Sequence, residues 1–214
     1  MSRAAVGFLH AGEKSKQATI TALAKHGKET VAVHLVDSSL VDATATEFPI
    51  DEERYAKLRE RTEELARNAE RIVLTCSVYN EAAQWLSDDL GIRVDRSDAA
   101  GARALIQTQG PVGILVSYAP SRPVVVDYVS EVLANEEQDR EIRSSLTEDA
   151  PPFSTPDDLY RRALIEALAP LKSCGVLFLS QFTMNEFAEG IRTVWGPAPL
   201  VSAVEATVAD VFSD

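Results

Sequence analysis

The sequence predicts an α/β fold of two pseudo-symmetric lobes, each a mostly parallel sheet flanked by helices, with an active-site cleft between the lobes. Short, almost continuous apolar runs alternate with longer amphipathic segments, as in sheets that are covered on both faces. The chain also repeats itself: LTCSVYNE, which contains Cys76, resembles LSQFTMNE, which contains Gln181, at a spacing of 105 residues (181 − 76). VGFLHA at residues 6–11 resembles VGILVS at residues 112–117 at a spacing of 106 residues (112 − 6). Two repeats in the same order at nearly the same spacing predict a duplicated chain.

The first lobe is predicted to comprise residues 1–97 together with about 197–214. Residues 51–70 carry apolar side chains every three to four positions, which predicts an amphipathic helix, and Gly27 is expected to end the first helix. Residues 41–49 are polar and small, which is typical of a loop over the sheet edge. The strands are expected at 4–10, 30–36, 72–74 and 91–94, and the helices at 13–26, 51–70 and 80–90.

The second lobe is predicted to comprise residues 98–196 and to open with a helix at 98–107. Residues 131–150 are acidic and rich in helix formers, so a solvated helix followed by a loop is expected there. The segment 155–158, TPDD, is typical of a helix start and predicts a long helix that ends near Leu171. Further strands are expected at 112–116, 123–126, 176–179 and near 200–201, with helices ending near 195 and spanning 202–212.

Composition and charge narrow the class of protein. The 214 residues are 45% hydrophobic, which is enough for a packed core, and Asp+Glu outnumber Lys+Arg by 33 to 21. The net charge of −12 repels phosphate backbones and anionic lipid, so neither a nucleic-acid nor a membrane partner is expected. No window approaches the roughly 20 apolar residues of a membrane helix, and a cytoplasmic protein is expected. Cys76 and Cys174 are too few for a disulfide scaffold, and no histidine pair has ligand spacing, so no metal site is expected.

The carboxyl ends of the predicted strands collect the polar residues that could carry chemistry. Ligands of parallel sheets bind at these ends, and a two-lobed protein has its cleft there. Cys76 lies at a strand-to-helix turn, where free N–H groups and the helix dipole stabilise a thiolate and bind carboxylate oxygens. The residues expected at this edge are His10, Ala11, 37–39, 76–80, 117–121 and 181–185.

Four short stretches carry a resemblance to a known family: Cys76-Ser77, HLVDSSL at 34–40, SYAPS at 117–121 and LSQFT at 179–183. On these stretches the chain resembles the aspartate/glutamate racemase superfamily, which includes amino-acid and hydantoin racemases, maleate isomerases and arylmalonate decarboxylases. The resemblance spans essentially the whole chain and is greatest to a branch in which Gln-Phe-Ser/Thr replaces the second thiol. It implies an enzyme without a metal or organic cofactor, either an isomerase of the amino-acid racemase type or a lyase of the malonate decarboxylase type.

The resemblance also implies what the thiol does. Family racemases carry a cysteine on each face of the substrate, so that one thiol abstracts a proton while the other donates one. Here the matching second position is Gln181, which cannot transfer a proton near neutral pH. Cys174 cannot replace it, because seven residues of strand (181 − 174) at ~3.3 Å each place it about 20 Å away. Cys76 is therefore expected to protonate an enediolate, to attack an activated alkene, or to share racemisation with His10 or Tyr118.

The candidate catalytic residues are thus Cys76 and His10, and the expected ligand is a small carboxylate or amino-acid-like molecule. The alternatives are ordinary structural roles: an inert buried thiol, a hydrogen-bonded rim histidine, and helix capping by the hydroxyl and Asn residues. His34 and His26 are expected to be structural or surface residues. A non-catalytic carboxylate-binding or regulatory protein is the competing class, and the family implies a homodimer or larger assembly. The candidate substrate-binding residues are Ser77, Asn80, Ser117, Tyr118, Ser121, Gln181 and Thr183.

Overall fold

The computed structural model describes residues 4–41, 50–147, 151–152 and 154–213, and its strands form two parallel sheets. The strands are β1 Val6–His10, β2 Ala32–Val36, β3 Arg71–Leu74, β4 Arg93–Arg96, β5 Val112–Val116, β6 Ile142–Leu146, β7 Val176–Leu179 and β8 Leu200–Ser202. The first sheet has the order β2-β1-β3-β4 and the second has the order β6-β5-β7-β8, so the two lobes share one topology. The predicted fold class is therefore confirmed. The loop predicted at 41–49 lies, apart from Val41, outside the described residues.

Helices flank both sheets. The α-helices of the described residues are α1 Glu13–Lys25, α2 Glu52–Ala66, α3 Ala83–Leu90, α4 Ala99–Leu105, α5 Ser121–Asn135, α6 Asp157–Glu166, α7 Ala188–Trp195 and α8 Ala203–Val211. Short 3₁₀ helices at Ser77–Ala82 and Phe182–Phe187 connect β3 to α3 and β7 to α7. Across the described ranges, no helix combines the length and the apolar character needed to cross a membrane.

One apolar core lies between the two sheets and joins the lobes. Val6 and Phe8 of β1 belong to it together with Ile114 of β5 and Phe178 of β7, and all four side chains are fully buried. Burying a side chain of this size contributes about 1.5–3 kcal/mol, so the shared core is a large part of what holds the lobes together. Two further apolar clusters, one in each lobe, pack against other helices.

The duplication predicted from the sequence is confirmed by equivalent contacts in the two lobes. β3, the following 3₁₀ helix and α3 recur 105 residues later (176 − 71) as β7, a 3₁₀ helix and α7. In the first lobe, the side-chain oxygen of Asn80 accepts a hydrogen bond from the N–H of Ser97 at 3.0 Å. In the second, the side-chain oxygen of Asn185 accepts one from the hydroxyl of Ser202 at 2.8 Å. Each Asn thus ties its 3₁₀ helix to the end of the fourth strand of its sheet.

Three expected elements differ from the structure. Residues 123–126, predicted as a strand, lie in α5, because Pro123 stands in the first turn, where its missing N–H costs no helical hydrogen bond. Residues 142–146, predicted within a solvated helix and loop, form the edge strand β6, whose polar side chains are only partly covered. Residues 200–202 were expected in the first lobe, but β8 pairs with β7 of the second sheet. The following helix, α8, packs against both α1 and α4.

Gly175, just before β7, is required by a close approach of backbone. A Cβ at this position would clash with the carbonyl oxygen of Gln109 and lie 3.1 Å from the Cα of Gly110. Because backbone cannot move aside as a flexible side chain can, Gly175→Ala is expected to lower the free energy of unfolding by about 2–3 kcal/mol in urea denaturation.

Gly190 in α7 is the matched control for this substitution. A Cβ there would have no neighbour within 4 Å. Since alanine is the better helix former, Gly190→Ala is expected to leave stability unchanged or raise it by up to about 1 kcal/mol. Equal effects of the two substitutions would contradict the steric argument at Gly175.

Candidate functional site

The candidate site residues of both lobes lie at the carboxyl ends of the central strands. β3 ends at Leu74, and Cys76 follows two residues later, immediately before a 3₁₀ helix. β7 ends at Leu179, and Gln181 takes the matching place before the equivalent 3₁₀ helix. The strand, turn and helix predicted around each residue are therefore present, and both residues reach the same cavity.

This cavity lies between the lobes and is small. Its volume is about 20 Å³, enough for about one water molecule. It adjoins a wider cavity of about 370 Å³, and Ala11, Ser15, Pro152 and Thr183 line both. Of the described residues that line the inner cavity, none carries a formal charge at neutral pH. The inner cavity is lined by Ala11, Ser15, Thr75, Cys76, Ser77, Tyr118, Ser121, Pro152, Gln181, Phe182 and Thr183.

A larger cavity of about 570 Å³ lies elsewhere in the second lobe, beside the start of β6. Its charged lining residues include Arg140, whose guanidinium donates to the carbonyl oxygens of Gly110 and Leu105. Those bonds secure the loop before β5. Because ligands of parallel α/β sheets bind at the carboxyl ends of strands, the cleft between the lobes is the stronger candidate site.

The structure brings most of the predicted site residues to the inner cavity. Those that line it are Cys76, Ser77, Tyr118, Ser121, Gln181 and Thr183. Three predicted residues do not line it, namely His10, Asn80 and Ser117. Asn80 is buried with its amide bonded to Ser97, so the structure gives it a structural contact where a substrate contact was expected. Ser117 lies behind Gln181 and supports it.

The Cys76 thiol is protonated in the unliganded protein near neutral pH. Burial raises the pKa of this thiol from 9.0 to about 12, and a hydrogen bond from the backbone N–H of Val78 lowers it only in part. The expectation that the helix start holds a thiolate is therefore wrong for the unliganded protein, because loss of solvation outweighs the available N–H donor. In this state Cys76 holds a proton that it can donate.

Gln181 is fixed by hydrogen bonds on both ends of its amide. Its Oε1 accepts from the N–H of Ser117 at 2.7 Å and from the hydroxyl of Ser117 at 2.9 Å. Its Nε2 donates to Oγ of Ser121 at 3.2 Å, and the hydroxyl of Ser77 donates to the same oxygen at 2.8 Å. The Ser77–Ser121 bond crosses from the first lobe to the second. The wall opposite Cys76 is thus a rigid row of neutral donors and acceptors.

Sequence reasoning missed two residues that support this site. Tyr160 of α6 is fully buried, and its hydroxyl donates to Oγ of Ser117 at 2.7 Å; burial raises the pKa of this phenol to about 12. Lys14 lines the outer cavity, where its Nζ lies 2.7 Å from a carboxylate oxygen of Asp157 and 5.6 Å from the centre of the Tyr160 ring. Tyr160 and Ser117 are 43 residues apart in sequence, and Lys14 and Asp157 are 143 residues apart, so no local sequence pattern could reveal these contacts.

His10 is fully buried behind the cavity and has two polar partners. Its Nδ1 lies 3.1 Å from Oγ1 of Thr75, and its Nε2 lies 3.0 Å from Nδ1 of His34. Burial lowers the pKa of His10 well below its ordinary value of 6.5, and the positive charges that Lys16 carries and that His34 would carry in acid lower it further. The pKa of His34 is lowered as well, by burial first and then by Lys16. Both imidazoles are neutral at pH 7.

These lowered pKa values predict a loss of stability in acid. Below about pH 6.5, the unfolded chain binds protons that the folded protein excludes. The contribution of neutral His10 to the free energy of unfolding is therefore complete above that pH, and it declines as the pH falls toward the pKa of His10 in the folded protein. For one histidine with a lowered pKa, the free energy of unfolding falls by up to about 1.4 kcal/mol per pH unit. In urea denaturation between pH 7.5 and 5, His10→Gln is expected to reduce the slope of stability against pH, whereas the exposed His26→Gln leaves it unchanged. Identical slopes in all three proteins would refute this assignment.

The described residues contain no group of three His, Cys, Asp or Glu side chains placed to hold a metal ion. The described residues that line the inner cavity offer a protonated thiol, several hydroxyls and the amide of Gln181.

The two-lobed α/β fold of this chain is similar to that of several solved racemases. The structure of a glutamate racemase from Bacillus anthracis aligns with 100% of this chain and with 82% of the racemase chain, with a TM-score of 0.78 and 17% sequence identity. A glutamate racemase from Francisella tularensis in complex with D-glutamate matches 100% of this chain over 81% of its own, with a TM-score of 0.70 and 12% identity. Allantoin racemase from Klebsiella pneumoniae matches 98% of this chain over 86% of its own, with a TM-score of 0.68 and 11% identity.

An aspartate racemase from Picrophilus torridus and an aspartate racemase homologue from Pyrococcus horikoshii also share the fold, so the fold that the sequence resemblance implied is confirmed. No protein-family profile matches the chain, and no curated protein matches its sequence.

Proposed function

We propose that this chain is a cofactor-independent enzyme of the racemase superfamily that acts at the carbon next to a small carboxylate or carbonyl, with Cys76 as its single thiol. The observation that carries the proposal is the place of Cys76: a thiol at the carboxyl end of β3, in a cleft between two lobes that share the racemase fold. The hydroxyls and the amide around it are neutral donors of the kind that hold carboxylate or enediolate oxygens.

The protonation state of the thiol favours proton donation as its step. A malonate-like acid that loses CO₂ leaves the electrons of the broken C–C bond in an enediolate. The S–H bond of Cys76 then breaks as a new C–H bond forms, and the thiolate that remains accepts the N–H of Val78. The hydroxyl of Ser121, whose oxygen already accepts from Ser77 and Gln181, stands beside the thiol to donate to an enediolate oxygen. Atoms and charge balance, provided that one proton later returns to the sulfur.

Racemisation by the same residue requires a different starting state. To remove a proton from carbon, Cys76 must first lose its own, and its pKa of about 12 leaves very little thiolate at pH 7 to 8. A bound substrate could change this only by supplying hydrogen-bond donors or a positive charge near the sulfur, because further loss of solvation would raise the pKa of the thiol again. A decarboxylase-type proton donor is therefore our first assignment, and racemase or isomerase chemistry is the second.

Proton NMR in heavy water tests the proposal directly. Purified protein is incubated with glutamate, aspartate, allantoin, maleate and phenylmalonate, and their signals are followed for deuterium incorporation, isomerisation or loss of CO₂. We expect at least one of these compounds to be converted by the wild-type protein and not by Cys76→Ala.

A carboxylate-binding protein without catalysis is the competing function, and the high pKa of Cys76 is the observation that favours it. That alternative holds if these compounds raise the melting temperature while every substrate signal stays unchanged. The proposal of an enzyme would then be wrong.

A further inference from the structure

A substrate that reacts at Cys76 must extend from the inner cavity into the outer one. The inner cavity has a volume of about 20 Å³, so a group of about the size of one water molecule fits there. The outer cavity has a volume of about 370 Å³, which is within the range of small-molecule pockets. Ala11, Ser15 and Thr183 line both cavities, so the two spaces adjoin at these residues. The largest substituent of the substrate therefore lies in the outer cavity.

Much of the outer cavity presents uncharged groups to a ligand. Ala11, Val41 and Pro152 give it apolar side chains. The hydroxyl of Ser15 donates to the carbonyl oxygen of Gly12 at 2.8 Å, so its proton is already used. Because an apolar cavity of about 150 Å³ is enough to bind benzene, 370 Å³ leaves room for an uncharged group of the size of a ring.

Lys14 is the one cation among the described residues that line the outer cavity, and its charge is already neutralised. Its Nζ lies 2.7 Å from a carboxylate oxygen of Asp157 and donates to the carbonyl oxygen of Thr155 at 3.1 Å. The same ammonium lies 5.6 Å from the centre of the Tyr160 ring. Lys14 belongs to α1 of the first lobe, and its three partners belong to the second lobe. The ammonium is therefore held by contacts that cross from one lobe to the other.

The other charged residue of the outer cavity is acidic. It is Glu13, whose carboxylate lies 3.4 Å from Nζ of Lys16. The segments outside the described residues that follow Val41 and precede Pro151 in the sequence contain acidic residues but no Lys or Arg. A substituent that ends in a carboxylate gains an ion pair here only by displacing Asp157 from Lys14. Because that exchange replaces one exposed ion pair by another, it adds little to binding.

We propose that the outer cavity binds an uncharged, ring-sized substituent of the substrate, and that the Lys14–Asp157 ion pair excludes substrates whose substituent ends in a carboxylate. This inference rests on the proposed function, because it places the reacting carbon beside Cys76. Asp157 lines neither cavity, so it is a specificity-determining residue that acts through Lys14. The preferred substrate is a carboxylic acid with an apolar group on the reacting carbon, and a side chain like that of glutamate is disfavoured.

Binding of two small acids tests the inference without any turnover. Phenylacetate carries a ring next to its carboxylate, whereas glutarate carries a second carboxylate at the end of its chain. Dissociation constants are measured by NMR titration of ¹⁵N-labelled protein. We expect the wild-type protein to bind phenylacetate at least about tenfold more tightly than glutarate, because the outer cavity buries the ring. Equal or tighter binding of glutarate, or no binding of phenylacetate, would overturn the inference.

Val41→Phe tests where the ring binds. Val41 lines the outer cavity and not the inner one, so a larger side chain there takes up space that the ring needs. The variant is expected to weaken phenylacetate binding at least about fivefold. An unchanged dissociation constant would place the ring elsewhere and contradict the inference.

Asp157→Asn tests the role of the ion pair, because it frees the ammonium of Lys14 for a ligand. This variant should bind glutarate at least about threefold more tightly than the wild type, while its affinity for phenylacetate changes by less than about twofold. Asp158→Asn is the matched control, since it removes the same charge from the same first turn of α6 without touching the pair. The double variant Lys14→Gln/Asp157→Asn should lose the gain. A gain that Asp158→Asn also gives, or one that survives the loss of Lys14, would be a general charge effect and would refute the assignment.

Turnover separates this inference from the proposed function. Phenylmalonate and (2-carboxyethyl)malonate differ only in the substituent on the reacting carbon, and we expect kcat/KM to be at least about tenfold higher for phenylmalonate. If glutamate, aspartate or (2-carboxyethyl)malonate is converted with an equal or higher kcat/KM, the proposed function holds and this inference is wrong. If the wild type converts none of these compounds but binds phenylacetate selectively, the proposed function fails, and the outer cavity remains a pocket for an uncharged group.

Discussion

Cys76→Ala is expected to lower the rate of substrate conversion at least about a hundredfold, because the variant has no proton to donate at the carbon that reacts. Positioned acid or base groups contribute on the order of 10² to 10⁴ in rate, and among the described lining residues Cys76 is the one thiol. The measurement is deuterium incorporation or product formation by NMR under identical protein concentrations, with circular dichroism to confirm that the variant is folded.

Cys174→Ala is the matched control for this loss of activity. Cys174 is buried at the start of β7, where its sulfur packs 3.3 Å from the position of a Cβ on Gly113, far from the carboxyl ends of the strands. Removing its sulfur should cost stability on the order of 1 kcal/mol and leave the rate unchanged. A similar loss of rate in both variants would show that activity depends on the fold and not on the thiol in the cleft.

The pH dependence of the rate distinguishes the two chemical roles of Cys76. If the protonated thiol is the active form, its pKa of about 12 keeps it fully protonated, and kcat/KM should be flat between pH 7 and 9. If the thiolate is the active form, its population rises tenfold with each pH unit over the same range, and kcat/KM should rise with it. We expect the flat profile for a malonate-type substrate. A tenfold rise per unit would reverse our order of assignments and favour racemisation.

The parts of the fold that the sequence predicted correctly are those in which local pattern and tertiary role agree. β1, β3, β5 and β7 are central strands buried on both faces, and their apolar runs are visible without any structure. The edge strand β6 has no such run, because solvent covers part of it and allows the polar sequence IRSSL. The first two turns of α5 contain Pro123 and three valines, and valine favours strands. Tertiary packing overrides this local preference.

In the candidate site too, some features follow from the sequence pattern and others depend on tertiary contacts. The internal repeat placed Gln181 opposite Cys76, and both reach one cavity. Tyr160 and Lys14 enter the site only through contacts between segments distant in sequence, such as the bond from Tyr160 to Ser117. A local motif cannot encode those pairings, because each depends on how a helix lies against its sheet.

Gln181→Leu is expected to cost both stability and activity, because it removes the polar wall that faces Cys76. Leucine fills a similar volume but cannot accept the N–H and the hydroxyl of Ser117 or donate to Ser121. Ser117 is buried, and a buried donor left without a partner costs about 1–3 kcal/mol, so with two donors affected we expect a loss of about 2–4 kcal/mol in urea denaturation.

Gln181→Glu separates the charge of this wall from its hydrogen bonds. A glutamate keeps an acceptor for both donors of Ser117, and the hydroxyl of Ser121 can rotate to donate to the new carboxylate, so most of the stability should remain. Its negative charge faces the place proposed for a carboxylate substrate, which should raise KM at least tenfold while the fold persists. The described residues that line the inner cavity include no positively charged side chain, and Lys14 of the outer cavity is already paired with Asp157, so this repulsion is weakly neutralised by them. If Gln181→Glu binds and converts the substrate as well as the wild type does, the reacting carboxylate does not lie between Gln181 and Cys76. The geometry proposed for the reaction would then be wrong.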